Sequence, residues 1–151
     1  HHRQYGAEPD DAKDGGAATM TTLYRATEHQ EQAALIAWCR TLSGQHPDLA
    51  YVVAVPNGGK RPISVAVAMK AEGVAPGYPD LLIDVARGGY HGWRGELKIV
   101  GGTVAPAQKA WHARLREQGY CVDVCYGWTA MAAALCRYLG IDDEVYDNIV
   151  P

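Results

Sequence analysis

The chain has 151 residues, of which 48% are hydrophobic and 21% charged, with 14 Lys and Arg against 17 Asp and Glu and a formal net charge of -3. That is one domain's worth of globular composition, which excludes a disordered or fibrous chain. The longest apolar stretches, such as residues 51–56, fall far short of the roughly 20 needed for a membrane span, so a soluble protein is expected, and the acidic balance taken alone argues against a nucleic-acid partner.

Residues 1–19 begin with two histidines and continue as a Gly, Ala and Asp mixture without hydrophobic period. They read as an expression tag or leader, with Met20 as a natural start and 20–151 as a single domain. Thr27-Glu28-His29-Gln30 has capping-box spacing, and Ala34, Leu35, Trp38, Cys39 and Leu42 recur at helical period, which predicts a first helix over 28–43. Tyr51 to Val55 is rich in β-branched residues and ends at Pro56-Asn57-Gly58-Gly59, a strand followed by a turn. Ile63, Val65, Val67 and Met69 alternate like a strand, yet Pro62 at a helix start, the Ala content and Gly73 as a stop favour a helix. Asp80–Ala86 and Trp93–Val100 read as an antiparallel hairpin around the loop 87–92. A helix opened by Pro106 and stopped by Gly119, a strand over 120–126 and a helix over 129–139 complete the order. The expected fold is α/β, a mixed sheet flanked by helices. Asp142, Asp143, Glu144 and Asp147 form a short acidic tail.

Cys39, Cys121, Cys125 and Cys136 each sit in an apolar run, and no apolar signal segment follows Met20. Buried thiols in a reducing cytoplasm are therefore expected in place of disulfides. Cys121 and Cys125 are four apart on a strand and could share a face, but structural zinc pairs more often use tight C-x-x-C turns.

The chemistry concentrates where the two central strands meet. Asp80 follows Gly77-Tyr78-Pro79 at the start of one strand, and Glu96-Leu97-Lys98 lies inside the next. Strand side chains alternate with period two, so Glu96 and Lys98 share a face while Leu97 turns away. Such a pair can be a plain ion pair on a sheet, and D…ExK spacing arises often by chance. Two carboxylates brought together in a sheet, however, call for a cation, and their hard oxygens suit Mg²⁺ or Mn²⁺. A metal of that kind serves phosphoryl chemistry, and a neighbouring lysine can orient water or neutralise developing charge.

Taken in order, Thr27-Glu28 with Gln32, Pro56-Asn57-Gly58-Gly59, Gly73 with Gly77-Tyr78-Pro79-Asp80, Glu96-Leu97-Lys98, and Pro106-Ala107-Gln108 with Trp111, Leu115 and Gly119 resemble the virus-type replication-repair nuclease domain, VRR-NUC. That family is a branch of the PD-(D/E)xK nucleases with a restriction-endonuclease-like fold. The resemblance spans about residues 27–126 and implies that Asp80 and Glu96 bind metal and that Lys98 is the catalytic lysine. It also implies that the Leu97 backbone carbonyl is a metal ligand and that Glu28 points into the same site, where it would serve a second metal or water. Gln32 and Gln108 would border that site. Glu28 and Gln32, four apart, share one helix face, although a glutamate and a glutamine at a helix start are also ordinary solvated residues. One departure is Ala105, which stands where family members usually carry a Ser or Thr cap before the proline.

The resemblance further implies a stand-alone phage or bacterial type of enzyme acting as a homodimer on branched DNA such as four-way junctions. A two-fold dimer can nick two symmetric strands of a junction. The strand 120–126, Trp128 and the last helix could supply its surface, or merely complete the core. With the leader and tail set apart, residues 20–141 carry 12 basic and 9 acidic side chains. Asn57, Lys60, Arg61, Arg87, Arg94 and Lys109 are candidate DNA contacts, and Tyr90, His91 and Trp93 could stack on unpaired bases. No base-reading motif is visible, so recognition by backbone and shape is expected. Alternatives are a flap nuclease or nonspecific nickase of the same family, or an inactive DNA-binding or assembly module. A nucleotide cofactor is disfavoured because Gly58-Gly59-Lys60 lacks phosphate-loop spacing.

Overall fold

Thr27 closes the first turn of helix α1 (Glu28–Leu42) with a reciprocal capping box: its Oγ1 accepts the Gln30 N–H at 3.2 Å and its own N–H donates to Gln30 Oε1 at 2.9 Å. The computed structural model describes residues 25–57, 59–142 and Val145. The expected leader 1–19, the start at Met20 and the tail carboxylates Asp143, Glu144 and Asp147 lie outside the described residues. Along α1, Leu35, Trp38 and Cys39 are buried at the expected helical spacing, because only one stripe of the helix meets the sheet.

The expected strand 51–55 is shorter than its composition suggests. Pro47 opens a 3₁₀ turn, Pro47–Tyr51, that takes up the first of these residues, and the strand β1 is reduced to Val53–Ala54. It pairs with β2 (Leu81–Ile83) only through Val53 opposite Leu82 and Ala54 opposite Leu81. Val55 then gives its N–H to the Asp80 carbonyl at 2.8 Å, and Pro56 has no N–H with which to continue. The segment after Pro62 is helix α2 (Ile63–Ala71), as its Pro and Ala content predicts, yet none of its residues is buried and Ile63 is 84% exposed.

Strand β3 (Trp93–Lys98) is the centre of the sheet, which has the order β1-β2-β3-β4. It runs antiparallel to β2, with Leu81 opposite Gly95, as the hairpin reading requires, though β2 ends at Ile83. It runs parallel to β4 (Cys121–Tyr126), with helix α3 (Pro106–Glu117) as the crossover. All six residues of β3 are buried. Trp93 and Leu97 enter the core formed with Leu35, Leu81, Ile83, Met131 and Leu135. Arg94, Glu96 and Lys98 face the other way, which places three charged side chains under cover.

Helix α4 (Trp128–Leu139) buries Met131, Ala132, Ala134, Leu135 and Cys136. One face of the last helix thus completes the chain's own core, with Trp128 packed against it, while β4 stands at the sheet edge with Val122 and Cys125 buried and Tyr126 exposed. All four cysteines are free thiols. Burial pushes Cys39 up to about 12 and Cys121 and Cys125 up to about 11, so they behave as small apolar residues. Among the described residues no helix is long and apolar enough to cross a membrane.

Gly95 explains how a glycine came to lie in the middle of the central strand. A Cβ there would fall inside the contact distance of the Trp93 ring, and that ring is fully buried and tied through Nε1 to Asp123 Oδ2 at 2.8 Å. Gly95→Ala is therefore expected to cost about 2 kcal/mol by overpacking, read as a lower denaturant midpoint with an unchanged slope.

Candidate active site

Continuing the β2–β3 register two pairs beyond its last ladder rung sets Asp80 opposite Glu96 and then Pro79 opposite Leu97. The bend at Pro79 lets Asp80 Oδ2 accept the Leu97 N–H at 2.8 Å. Since Pro79 has no N–H, the ladder leaves the Leu97 carbonyl without its usual cross-strand donor. Asp80, Glu96 and the Leu97 carbonyl thus meet at the point where the two strands part, a consequence of one proline and one register.

Glu96 is 1% exposed and lies in a built environment. Its Oε1 accepts from Gln108 Nε2 at 2.7 Å and lies 3.6 Å from Lys98 Nζ, while its Oε2 is 3.3 Å from His112 Nε2. Burial, followed by the charge of Asp80, pushes the Glu96 carboxyl up to about 8; Lys98 offsets only part of this. His112 is pushed down from its ordinary value by burial and by the nearby Arg116 and Lys98 charges, against a smaller opposing effect of Asp80. Gln108 also resolves the question raised by Ala105. Its Oε1 accepts the Ala105 N–H at 2.8 Å, so one amide caps the helix start and grips Glu96 at once.

On the other side of Asp80 opens a cavity of about 450 Å³, walled in part by Glu28, Gln32, Asn57, Arg61, Asp80 and Leu97. Glu28 and Gln32 reach it from one face of α1. Asn57 enters it with its amide spent on the Tyr78 carbonyl, to which Nδ2 donates at 2.7 Å, so its contribution here is to hold the loop against the strand that carries Asp80. Arg61 is likewise held, through Nη2, by the Pro56 carbonyl at 3.0 Å. The sequence-expected residues therefore converge as two groups joined at Asp80: the cavity wall, and the covered cluster of Glu96, Lys98 and Gln108.

A family model described as the VRR-NUC domain matches residues 2–128. The chain belongs to the VRR-NUC family. A solved structure titled a VRR_NUC domain protein is 32% identical, with a TM-score of 0.66, and the match covers 79% of this chain and 93% of that one. No curated protein matches the chain. Membership makes this a nuclease-type domain of the PD-(D/E)xK class, and the mixed sheet with its helices is the restriction-endonuclease-like fold.

In this VRR-NUC domain the donors fit a hard divalent cation. Burial, and after it the charge of Asp80, raises the Glu96 carboxyl, and a main-chain carbonyl beside the two carboxyls lacks a ladder partner. Among the described residues no three His, Cys, Asp or Glu side chains gather as a ready-made metal cluster. Asp80, Glu96 and the Leu97 carbonyl would hold such an ion together with water, in the manner of Mg²⁺ sites that keep much of their hydration.

Other expected DNA contacts lie elsewhere. Lys60 and Lys109 are exposed and outside the cavity wall. Arg94 requires correction: it is 6% exposed, its Nε donates to the Tyr78 hydroxyl at 3.0 Å, and its guanidinium lies 4.3 Å over the Tyr120 ring and 3.3 Å from Asp84. It braces the sheet and is not presented to a phosphate. Trp93 is fully buried, which removes it from base stacking, and Arg87 is paired with Asp48 at 2.7 Å. Tyr90 and His91 remain exposed.

Sequence reasoning passed over two histidines. His29 lines the cavity one residue from Glu28, and the capping box that fixes the helix start could have indicated its direction. His112 is four residues after Gln108, so the same helical spacing that pairs Glu28 with Gln32 places it beside Gln108.

Proposed function

We propose that this domain is a Mg²⁺- or Mn²⁺-dependent endonuclease that hydrolyses phosphodiester bonds in branched DNA, four-way junctions foremost, as a homodimer. The observation that carries this reading is the register that sets Asp80 against Glu96, with Lys98 on the same face and beside it. Asp80 and Glu96 with the Leu97 carbonyl would supply the oxygen donors, and Glu28, which lines the same cavity as Asp80 and Leu97, would hold water or a second ion. When bound there, the cation polarises a phosphate and lowers the pKa of an attacking water. Lys98, its side chain 9% exposed, keeps a positive charge fixed beside that position, which orients the water and offsets charge developing on the phosphate. Gln108 restrains Glu96, and Gln32 and Arg61 line the approach. Lys60 and Lys109 lie outside the cavity as phosphate contacts whose grip weakens with salt.

A second copy has a surface available. On α2, Ile63, Val65 and Val67 are 84%, 44% and 63% exposed, and Tyr51 before the edge strand β1 and Val53 within it are 64% and 52% exposed, an apolar display of the kind that marks association. Labelled four-way, flap and linear duplexes incubated with Mg²⁺, Mn²⁺ or chelator test the activity. Cutting of the junction above the others, lost with chelator, is expected. Failure to cut any substrate in either metal sinks the enzymatic reading, and preferred cutting of the flap transfers it to a flap nuclease. Sedimentation of Val67→Glu, a change at a solvent-facing position, is expected to give a monomer where the parent is a dimer; a monomeric parent overturns the dimer.

A further inference from the structure

The buried His112 has no part in the reading above. It is 3% exposed, and its Nε2 lies 3.3 Å from Glu96 Oε2. Glu96 Oε1 is approached by both Gln108 and Lys98, whereas His112 stands within bonding range of Oε2. The last torsion of a glutamate is soft and roughly two-fold, so one donor on one oxygen leaves the carboxylate plane free to turn. Donors on both oxygens, issued from Gln108 and His112 on a single helix, fix it. Helix α3 is itself held by the sheet: Leu115 is buried, and Arg116 Nη2 donates to the Val122 carbonyl at 3.0 Å. The grip on Glu96 is therefore referred to the sheet and not to a loose loop.

We infer that His112 is a positioning residue: it donates from Nε2 to Glu96 and holds the carboxylate plane in the orientation that a divalent cation between Asp80 and Glu96 requires. With a cation bound Glu96 is ionised and can only accept, so in that state the proton of the neutral ring belongs on Nε2. Partners that orient metal-ligating side chains typically change affinity by about 10- to 100-fold when removed. The inference rests on the metal-dependent reading proposed above.

The test compares His112→Gln, whose amide can reach with a donor, with His112→Met, of similar length and no donor. Mn²⁺ binding to the DNA-free protein, followed by electron paramagnetic resonance, is expected to weaken about 10- to 100-fold in His112→Met and to recover largely in His112→Gln. The Mg²⁺ concentration giving half-maximal cleavage should rise in parallel, with the maximal rate regained at high Mg²⁺. Equal Mn²⁺ affinity in parent and His112→Met overturns the role of His112 while leaving the metal site standing. A parent that binds no Mn²⁺ overturns both. Should His112→Met fail to fold, the parent alone decides: with Mg²⁺ added, ¹⁵N spectra of the imidazole should show the Nε2–H tautomer, and an Nδ1–H tautomer refutes the proposal.

Discussion

Asp80→Asn and Lys98→Met should each lower the rate of strand cleavage by about 10³-fold, about 4 kcal/mol of transition-state stabilisation, without unfolding the domain. Asparagine keeps an oxygen for the Leu97 N–H now bonded to Asp80 Oδ2, so the junction between β2 and β3 should persist while a charge meant for the cation is lost. Methionine keeps the buried stem of Lys98 and removes only the ammonium that stands 3.6 Å from Glu96. The two variants should differ in their metal response. Asp80→Asn should weaken Mn²⁺ binding, whereas Lys98→Met should bind the ion but fail in the chemical step. Single-turnover cleavage with Mn²⁺ binding measured alongside separates them, and parent-like cleavage by either variant refutes its assigned role.

Metal-free protein should lose stability as the pH rises from 7 to 8, and Glu96→Gln should remove that loss. The folded Glu96 is pushed up to about 8 by burial and by Asp80, whereas a carboxyl in the unfolded chain titrates near its ordinary 4.5. Between those values the folded state binds more protons than the unfolded one, so stability is greatest below the lower value and falls as pH rises through the upper. Between pH 7 and 8 the loss is about 1 kcal/mol. His112 acts with the opposite sign, since its folded value is depressed, but its effect is confined to pH near and below its ordinary 6.5. Cys39, Cys121 and Cys125 titrate in the unfolded chain only near 9. Below pH 8 they remain almost wholly protonated, and the interval from 7 to 8 therefore isolates Glu96. Thermal melts in chelator should show Tm falling by several degrees across it in the parent, a flat Tm in Glu96→Gln, and recovery of the parent when Mg²⁺ is added. A parent curve that is flat in chelator refutes the buried carboxyl pair as the source of strain.

Much of this architecture is carried by local rules. Thr27 and Gln30 announce the start of α1 because a capping box needs only residues three apart. Pro62 and the alanines decide for a helix at 63–71 against the alternation of its apolar residues. Glu96 and Lys98 must share a face because a strand repeats every two residues, and Asp80 stands beyond a proline turn for reasons equally close in sequence. The candidate site was legible to that extent: the two carboxylates, the lysine, and the α1 pair Glu28 and Gln32 on one helix face.

The tertiary structure decided everything that depended on which surfaces become covered. Arg94 and Lys98 are both basic residues of one strand face, yet Arg94 is engaged by Tyr78, Asp84 and Tyr120 while Lys98 lies beside Glu96. Trp93 opens the expected strand and was a candidate for base stacking as well as for the core, and it was committed to the core when β2 and β4 closed around it. The strand over 51–55 yielded to the turn begun by Pro47, and α2 emerged with no buried residue although its sequence is as apolar as a core helix. His112 reached Glu96 only because a parallel crossover laid α3 on that face. The sequence by itself determined the periodicity, the turns and the acidic and basic pair on one face, all of which are set by neighbours a few bonds away. Burial, hydrogen-bond partners and the raised Glu96 were determined by contacts between distant segments, whose free energy arises only when the sheet and helices have come together and water has been excluded.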